Sequence, residues 1–188
     1  LLVLFFLLQS QLSVSRRIGS TMDVRWCLRD PFKLIPSSSL STIRRIVDES
    51  FTMWEDSLNG RITFTQVFPP FSSSIQRPRG VDIDVLFAQG NHGDKDAFDG
   101  RGGTLAHSSQ GKPPKPPKGK MHLDADELWS LGEEGLDLRQ VVLHEIGHIL
   151  GLRHSSSEES IMNPYYVSKR KALFIPMVDE YYLNQLYF

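Results

Sequence analysis

The sequence is short of most features that would set it apart from ordinary globular domains. One cysteine, Cys27, stands in 188 residues, which excludes an internal disulfide and leaves bridges silent on the redox compartment. Net charge is nearly absent: 21 lysines and arginines face 22 acids, so neither nucleic acid nor an anionic membrane surface is implied as a partner. No internal repeat and no second domain are visible. Long apolar runs are missing as well. Leu1–Leu8 is the longest, and its eight residues fall far short of the ~20 that a bilayer-spanning helix needs. That run resembles the apolar core of a secretory signal peptide, followed by linker to about Ser20, with Arg16-Arg17 as a candidate processing site. Residues 1–20 are therefore expected to be targeting sequence and linker, and 21–188 one domain, secreted to the extracellular space or matrix and not anchored in a membrane.

What the chain does have is six histidines, and they fall into two groups. His144-Glu145-Ile146-Gly147-His148-Ile149-Leu150-Gly151-Leu152-Arg153-His154 reads H-E-x-x-H-x-x-G-x-x-H. The apolar spacing from Leu138 to Leu150 predicts a helix, which puts His144 and His148 on one face, able to grip one ion. Glu145 lies beside them, within reach of a water on that ion. Gly151 permits the left-handed turn that ends a helix and swings His154 back towards the same point. Three neutral imidazoles bind Zn²⁺ at ~2.0–2.1 Å and leave a fourth position open, the arrangement of a catalytic site. A buried helix carrying chance histidines would not fill every fixed position. The second group is His92-Gly93-Asp94 with His107 and His122. Four protein ligands close a tetrahedral zinc to substrate, so this set predicts a structural site.

The long motif, the following Ser155 and the segment Ser160-Ile161-Met162-Asn163-Pro164 together resemble the matrixins, the matrix-metalloproteinase branch of the metzincin metallopeptidases, with Met162 as the Met-turn residue. The resemblance runs from about Asp23 to Phe188. It implies an α/β (α+β) fold, a twisted, mostly parallel five-stranded mixed sheet with three α-helices. Its catalytic residue would be Glu145, and its catalytic zinc would sit on His144, His148 and His154. The structural zinc would take His92, Asp94, His107 and His122. Calcium is implied at Asp99, Asp124 and Glu127 by side chain and at Gly100, Gly102 and Thr104 by main chain, a mixture of oxygens that suits a hard cation. Leu105 and Ala106 would pair with an extended protein or peptide substrate, while Gln140, Pro164 and Tyr166 would shape the pocket beyond the scissile bond. Protein protease inhibitors are implied as further partners, and a monomer as the assembly. The chain departs from the family in two places. Pro116, Lys118 and Lys120 stand where ligands of a second calcium are expected, which leaves Asp82 as an exposed strand residue, and Ala125 replaces an acid. Arg25–Asp30 loosely resembles the cysteine peptide that silences matrixin zymogens, yet its glycine and proline are missing, and Cys27 reads better as a residue of the first strand. An alternative to an enzyme is a catalytically silent, zinc-stabilised protein-binding module of metzincin descent.

Elsewhere, alternation predicts strands over Asp23–Arg29, Ile62–Val67 and Val81–Phe87, with short ones near Thr104–His107 and Lys120–Leu123. Ile43, Ile46, Val47, Phe51 and Trp54 share one face of a helix over Leu40–Leu58. A last helix is expected from Pro176, carrying Val178, Tyr182, Leu183 and Leu186. Lys112–Lys118, with proline at four of its seven places, predicts a solvated, extended polyproline loop.

Overall fold

The computed structural model describes residues 21–131, 135–167 and 174–188. The signal-peptide-like run and Arg16-Arg17 lie outside the described residues. Ten elements follow in order: β1 (Met22–Arg29), α1 (Ser37–Ser57), β2 (Ile62–Gln66), β3 (Ile83–Ala88), β4 (Ala106–Ser108), β5 (Gly119–Asp124), β6 (Trp129–Ser130), β7 (Leu136–Asp137), α2 (Leu138–Ile149) and α3 (Met177–Tyr187). Five strands form one sheet in the order β2-β1-β3-β5-β4, with only β4 antiparallel to its neighbour. This is the mostly parallel mixed sheet with three helices that was expected, plus a two-residue pairing of β6 with β7. No helix among the described residues is long and apolar enough to cross a membrane.

Strand side chains alternate between faces, and here the two faces do different work. Val24, Trp26, Ile83, Val85, Phe87, Met121 and Leu123 meet the apolar stripes of α1 and α2 in the main core. Trp26 stacks on Phe51 at 4.7 Å. The expected face of α1 is the buried one, although the helix starts three residues earlier. The opposite face carries Cys27, Arg29, Asp84, Leu86, Ala88 and His122, all buried. The alternation in Val81–Phe87 therefore misleads: all six residues of β3 are buried, because a central strand is covered on both sides. Its charge is matched instead of solvated. Arg29 donates from Nε to Asp84 Oδ1 at 2.8 Å and from a terminal nitrogen to Oδ2 at 2.5 Å, and Cys27 Sγ donates to the same carboxylate at 3.3 Å. Burial, with Asp84 adding to it, pushes the Cys27 thiol up to about 12.

Two other expectations need correction. The last helix begins after Pro176 as predicted, but its buried face is Asp179, Leu183 and Tyr187, with Tyr182 and Leu186 exposed. The Lys-Pro segment is neither fully solvated nor continuously extended. It turns at Pro113–Pro114, Lys115 N–H donates to the Lys112 carbonyl at 3.2 Å, and Pro117 is buried.

Candidate active site

Both ends of α2 are fastened before its histidines are considered. At the start, the Asp137 carboxylate caps the Arg139 amide at 2.9 Å, while Tyr166 Oη accepts the Asp137 amide at 2.7 Å. Arg139 pairs with Glu49, and Trp54 Nε1 donates to the Leu143 carbonyl at 3.1 Å, joining α2 to α1. At the far end Gly151 takes φ +105°, as anticipated, and Leu152 N–H closes on the Gly147 carbonyl at 2.9 Å.

This frame brings one ligand atom from each of His144, His148 and His154 within 4.8 Å of one another. His144 Nδ1 faces the Ile161 carbonyl at 2.8 Å and His148 Nδ1 faces that of Leu152 at 2.9 Å. A carbonyl only accepts, so these Nδ1 atoms carry the protons and each Nε2 turns a lone pair inwards. Burial pushes His144 down to about 4 and His148 below its usual range, keeping both neutral at pH 7. Converging neutral imidazoles fit a zinc ion. Glu145 is 6% exposed, and its Oε2 has no partner among the described residues. Burial pushes its carboxyl up to about 7, against an opposing contact with the Ser108 hydroxyl. Met162 lies under the helix: a Cβ built on Gly147 would come within 2.3 Å of its Sδ. Asp179 of α3 holds that turn by accepting from Ser160 Oγ and, at 2.7 Å, from the Ile161 amide.

The histidines and Glu145 open onto a cleft of about 670 Å³ that Leu105, Ala106, Gln140, Pro164 and Tyr166 also line. All the residues expected at substrate are thus around one cavity. Ala106 belongs to β4, an edge strand with no strand on its outer side among the described residues, while Leu105 just precedes it and spends its carbonyl on the Asp124 amide at 3.0 Å. Ser108, Val141 and Asn163 line the same cleft, which no local pattern had announced.

The second group also converges. His92 Nε2, Asp94 Oδ2, His107 Nε2 and His122 Nδ1 sit 2.8–3.1 Å apart along five of their six separations. A tetrahedral zinc with ~2.1 Å bonds has edges of about 3.4 Å, so the four atoms already outline one. Register explains the placement, since His107 and His122 are directly opposed on β4 and β5. Phe98 stacks on His92 at 5.0 Å and His107 at 4.8 Å. Burial pushes His122 down to about 4, and hydrogen bonds from Asp96 and His107 hold Asp94 low in spite of its burial.

The oxygen ligands are less tightly drawn. Asp99 accepts the Thr104 amide at 2.8 Å and Glu127 accepts the Gly102 amide at 2.7 Å, with Gly100 and Gly102 both at positive φ. Asp124 is fully buried, and its Oδ2 lacks any partner among the described residues. Burial, then Asp126, Glu127 and Asp99, raise its carboxyl. That orphaned oxygen among carboxylates fits a bound cation. Asp82 is not an exposed strand residue: it precedes β3, is half-buried, accepts the Arg25 amide at 3.1 Å and pairs with Lys118 at 3.4 Å.

One support was not foreseen. Gly111 N–H donates to the His148 carbonyl at 2.8 Å, and Gln110 Nε2 donates at 3.1 Å to the Leu152 carbonyl that also faces His148 Nδ1. Pro113 packs where a side chain on Gly151 would stand. Nothing local in Gln110–Pro113 signals a strap across the end of the histidine helix; only its placement does.

The chain is similar to known proteins over much of its length. Matrix metalloproteinase-16 of Rattus norvegicus is 42% identical over 126 residues, 65% of this chain and 20% of its own length. Karilysin of Tannerella forsythia is 37% identical over 143 residues, 73% of this chain and 28% of its own. Metalloendoproteinase 2-MMP of Arabidopsis thaliana is 36% identical over 154 residues, 77% and 37% respectively. The chain thus spans well under half the length of these relatives. The family model for matrixin matches residues 26–188, and on that match over most of its length the chain belongs to the matrixin family.

Proposed function

We propose that this chain is the catalytic domain of a secreted zinc endopeptidase that cuts extracellular-matrix or other extracellular proteins. The observation that carries the reading is Glu145, buried with a free carboxylate oxygen, beside three converging imidazoles on an open cleft. His144, His148 and His154 would hold the catalytic zinc, and His92, Asp94, His107 and His122 a structural one. Zinc supplies Lewis-acid chemistry there, acidifying water and polarising a peptide carbonyl. Glu145 takes the proton as water attacks and hands it to the leaving amine, so no covalent intermediate with the protein is needed. The edge of β4 at Leu105 and Ala106 would receive the substrate as an added strand, and Gln140, Pro164 and Tyr166 would select its side chain. Asp99, Asp124 and Glu127, with the carbonyls of Gly100, Gly102 and Thr104, would hold calcium. Protein inhibitors would compete for the same cleft, and the chain would act as a monomer.

The test is hydrolysis of a broad set of quenched-fluorescent peptides, with and without a zinc chelator, by the wild-type chain and Glu145→Gln. Chelator-sensitive cleavage, reduced by about 10²–10⁴ in the variant, is expected from loss of a general base. A folded, zinc-loaded wild-type chain that cleaves nothing would leave the silent binding module as the better reading.

A further inference from the structure

A second groove, of about 460 Å³, lies between the start of α1 and the Pro69–Ser72 loop, and it shares no lining residue with the cleft at the histidines. Leu28, Ile35 and Leu40 contribute apolar lining, and Phe71 stands at its edge, 71% exposed like Phe68 beside it. Exposed aromatics of this size on neighbouring positions mark contact surfaces more often than chance decoration. The charges around the groove do not cancel. Asp30 spends both oxygens on the Leu34 and Ile35 amides at 2.9 Å, and Arg29 is neutralised by Asp84. Lys33 and Arg44 have no carboxylate partner among the described residues. Lys33 Nζ sits 5.8 Å from the Phe71 ring and the Arg44 guanidinium 5.4 Å from that of Phe68. Arg44 Nε is buried and has no acceptor among the described residues.

The sheet sets the groove's distance from the cleft. Arg29 is paired with Leu86, Leu86 with His122 and His122 with His107, which borders the cleft. Three strand spacings amount to ~14 Å, a span that about four or five extended residues bridge.

Resting on the peptidase reading, we propose that this groove is a remote docking site for a segment of the protein substrate in which acidic and apolar side chains alternate. Its carboxylates meet Lys33 and Arg44, and an apolar side chain packs against Phe71. Substrate choice then depends on a segment that the cleft never touches.

Lys33 is exposed, Arg44 is half-buried, and neither belongs to the catalytic machinery. The probe is a fluorescein-labelled peptide of alternating aspartate and leucine, followed by anisotropy, against a lysine–leucine counterpart. The aspartate peptide is expected to bind about tenfold more tightly than its counterpart, and the Lys33→Gln/Arg44→Gln pair to remove that preference. Phe71→Ser should weaken both peptides. Hydrolysis of a short peptide confined to the cleft should be unchanged in all variants, which separates this proposal from the peptidase reading itself. Equal binding of the two peptides overturns the proposal, as does wild-type binding by the double variant. So does sedimentation with phosphatidylserine vesicles through Lys33 and Arg44 in place of peptide binding, which would assign the surface to a membrane.

Discussion

Replacing Gly111 with alanine tests the strap at the end of α2 more sharply than any change to a metal ligand. The added carbon would lie 2.0 Å from the Ile149 carbonyl oxygen and 2.8 Å from the Gly151 nitrogen, and both are backbone atoms that cannot rotate away. Carbon and oxygen rest no closer than about 3.3 Å, so the strap must retreat by more than an ångström. That movement lengthens the 2.8 Å bond from Gly111 to the His148 carbonyl and the 3.1 Å bond from Gln110 to Leu152 beyond useful range. Two lost hydrogen bonds at ~1 kcal/mol each, with weakened packing of Pro113, come to about 2–3 kcal/mol. For a chain of this size the melting temperature should fall by about 4–12 °C. The loss should be local in its metal consequences. The strap shares the Leu152 carbonyl with His148, so the catalytic zinc should be surrendered to a chromophoric chelator at lower concentration, while the zinc on His92, Asp94, His107 and His122 keeps its wild-type titration. Gln110→Ala should do the same more mildly. A Gly111→Ala protein that melts within a degree of wild type, or loses both zinc ions together, would refute the reasoning.

Further predictions rest on the buried charges. On the proposed mechanism Glu145 must be ionised to accept a proton, and burial pushes it up to about 7 against an ordinary 4.5. Activity is therefore lost as pH falls through that interval; a kcat/KM flat from pH 7 down to pH 4 would show that Glu145 is not the base. Asp84→Asn leaves the Arg29 guanidinium buried without its counter-ion and should cost about 3–5 kcal/mol in chemical denaturation. The same ladder makes Cys27 inert: iodoacetamide should modify it only as fast as the chain unfolds, and rapid labelling of the native protein would contradict its burial. Calcium should raise the melting temperature of the wild-type protein and not that of Asp124→Asn, a difference read by thermal scans with and without the ion.

Much of the site was legible because its information is local. His144, Glu145 and His148 share a helical turn, Gly151 and His154 follow within one tight turn, and helical geometry alone sets where such residues point. The amphipathic phase of α1 was legible for the same reason. The rest depended on partners far along the chain. Whether Val81–Phe87 has one buried face or two depends on β1 and β5 flanking it, and whether Asp84 is solvated depends on Arg29, 55 residues away. The phase of α3 was set by Asp179 reaching the Ser160–Ile161 turn, not by which residues are most apolar. Lys112–Lys118 looked like solvated polyproline until the end of α2 was placed beneath Gln110–Pro113. Asp82 found Lys118 just ahead of the paired strands β3 and β5, a meeting that no window of sequence contains. Local spacing determines which side chains can act together within one turn of backbone. Only tertiary packing decides which charges must be paired and which carbonyls need a donor, because those costs arise when distant segments exclude water from each other.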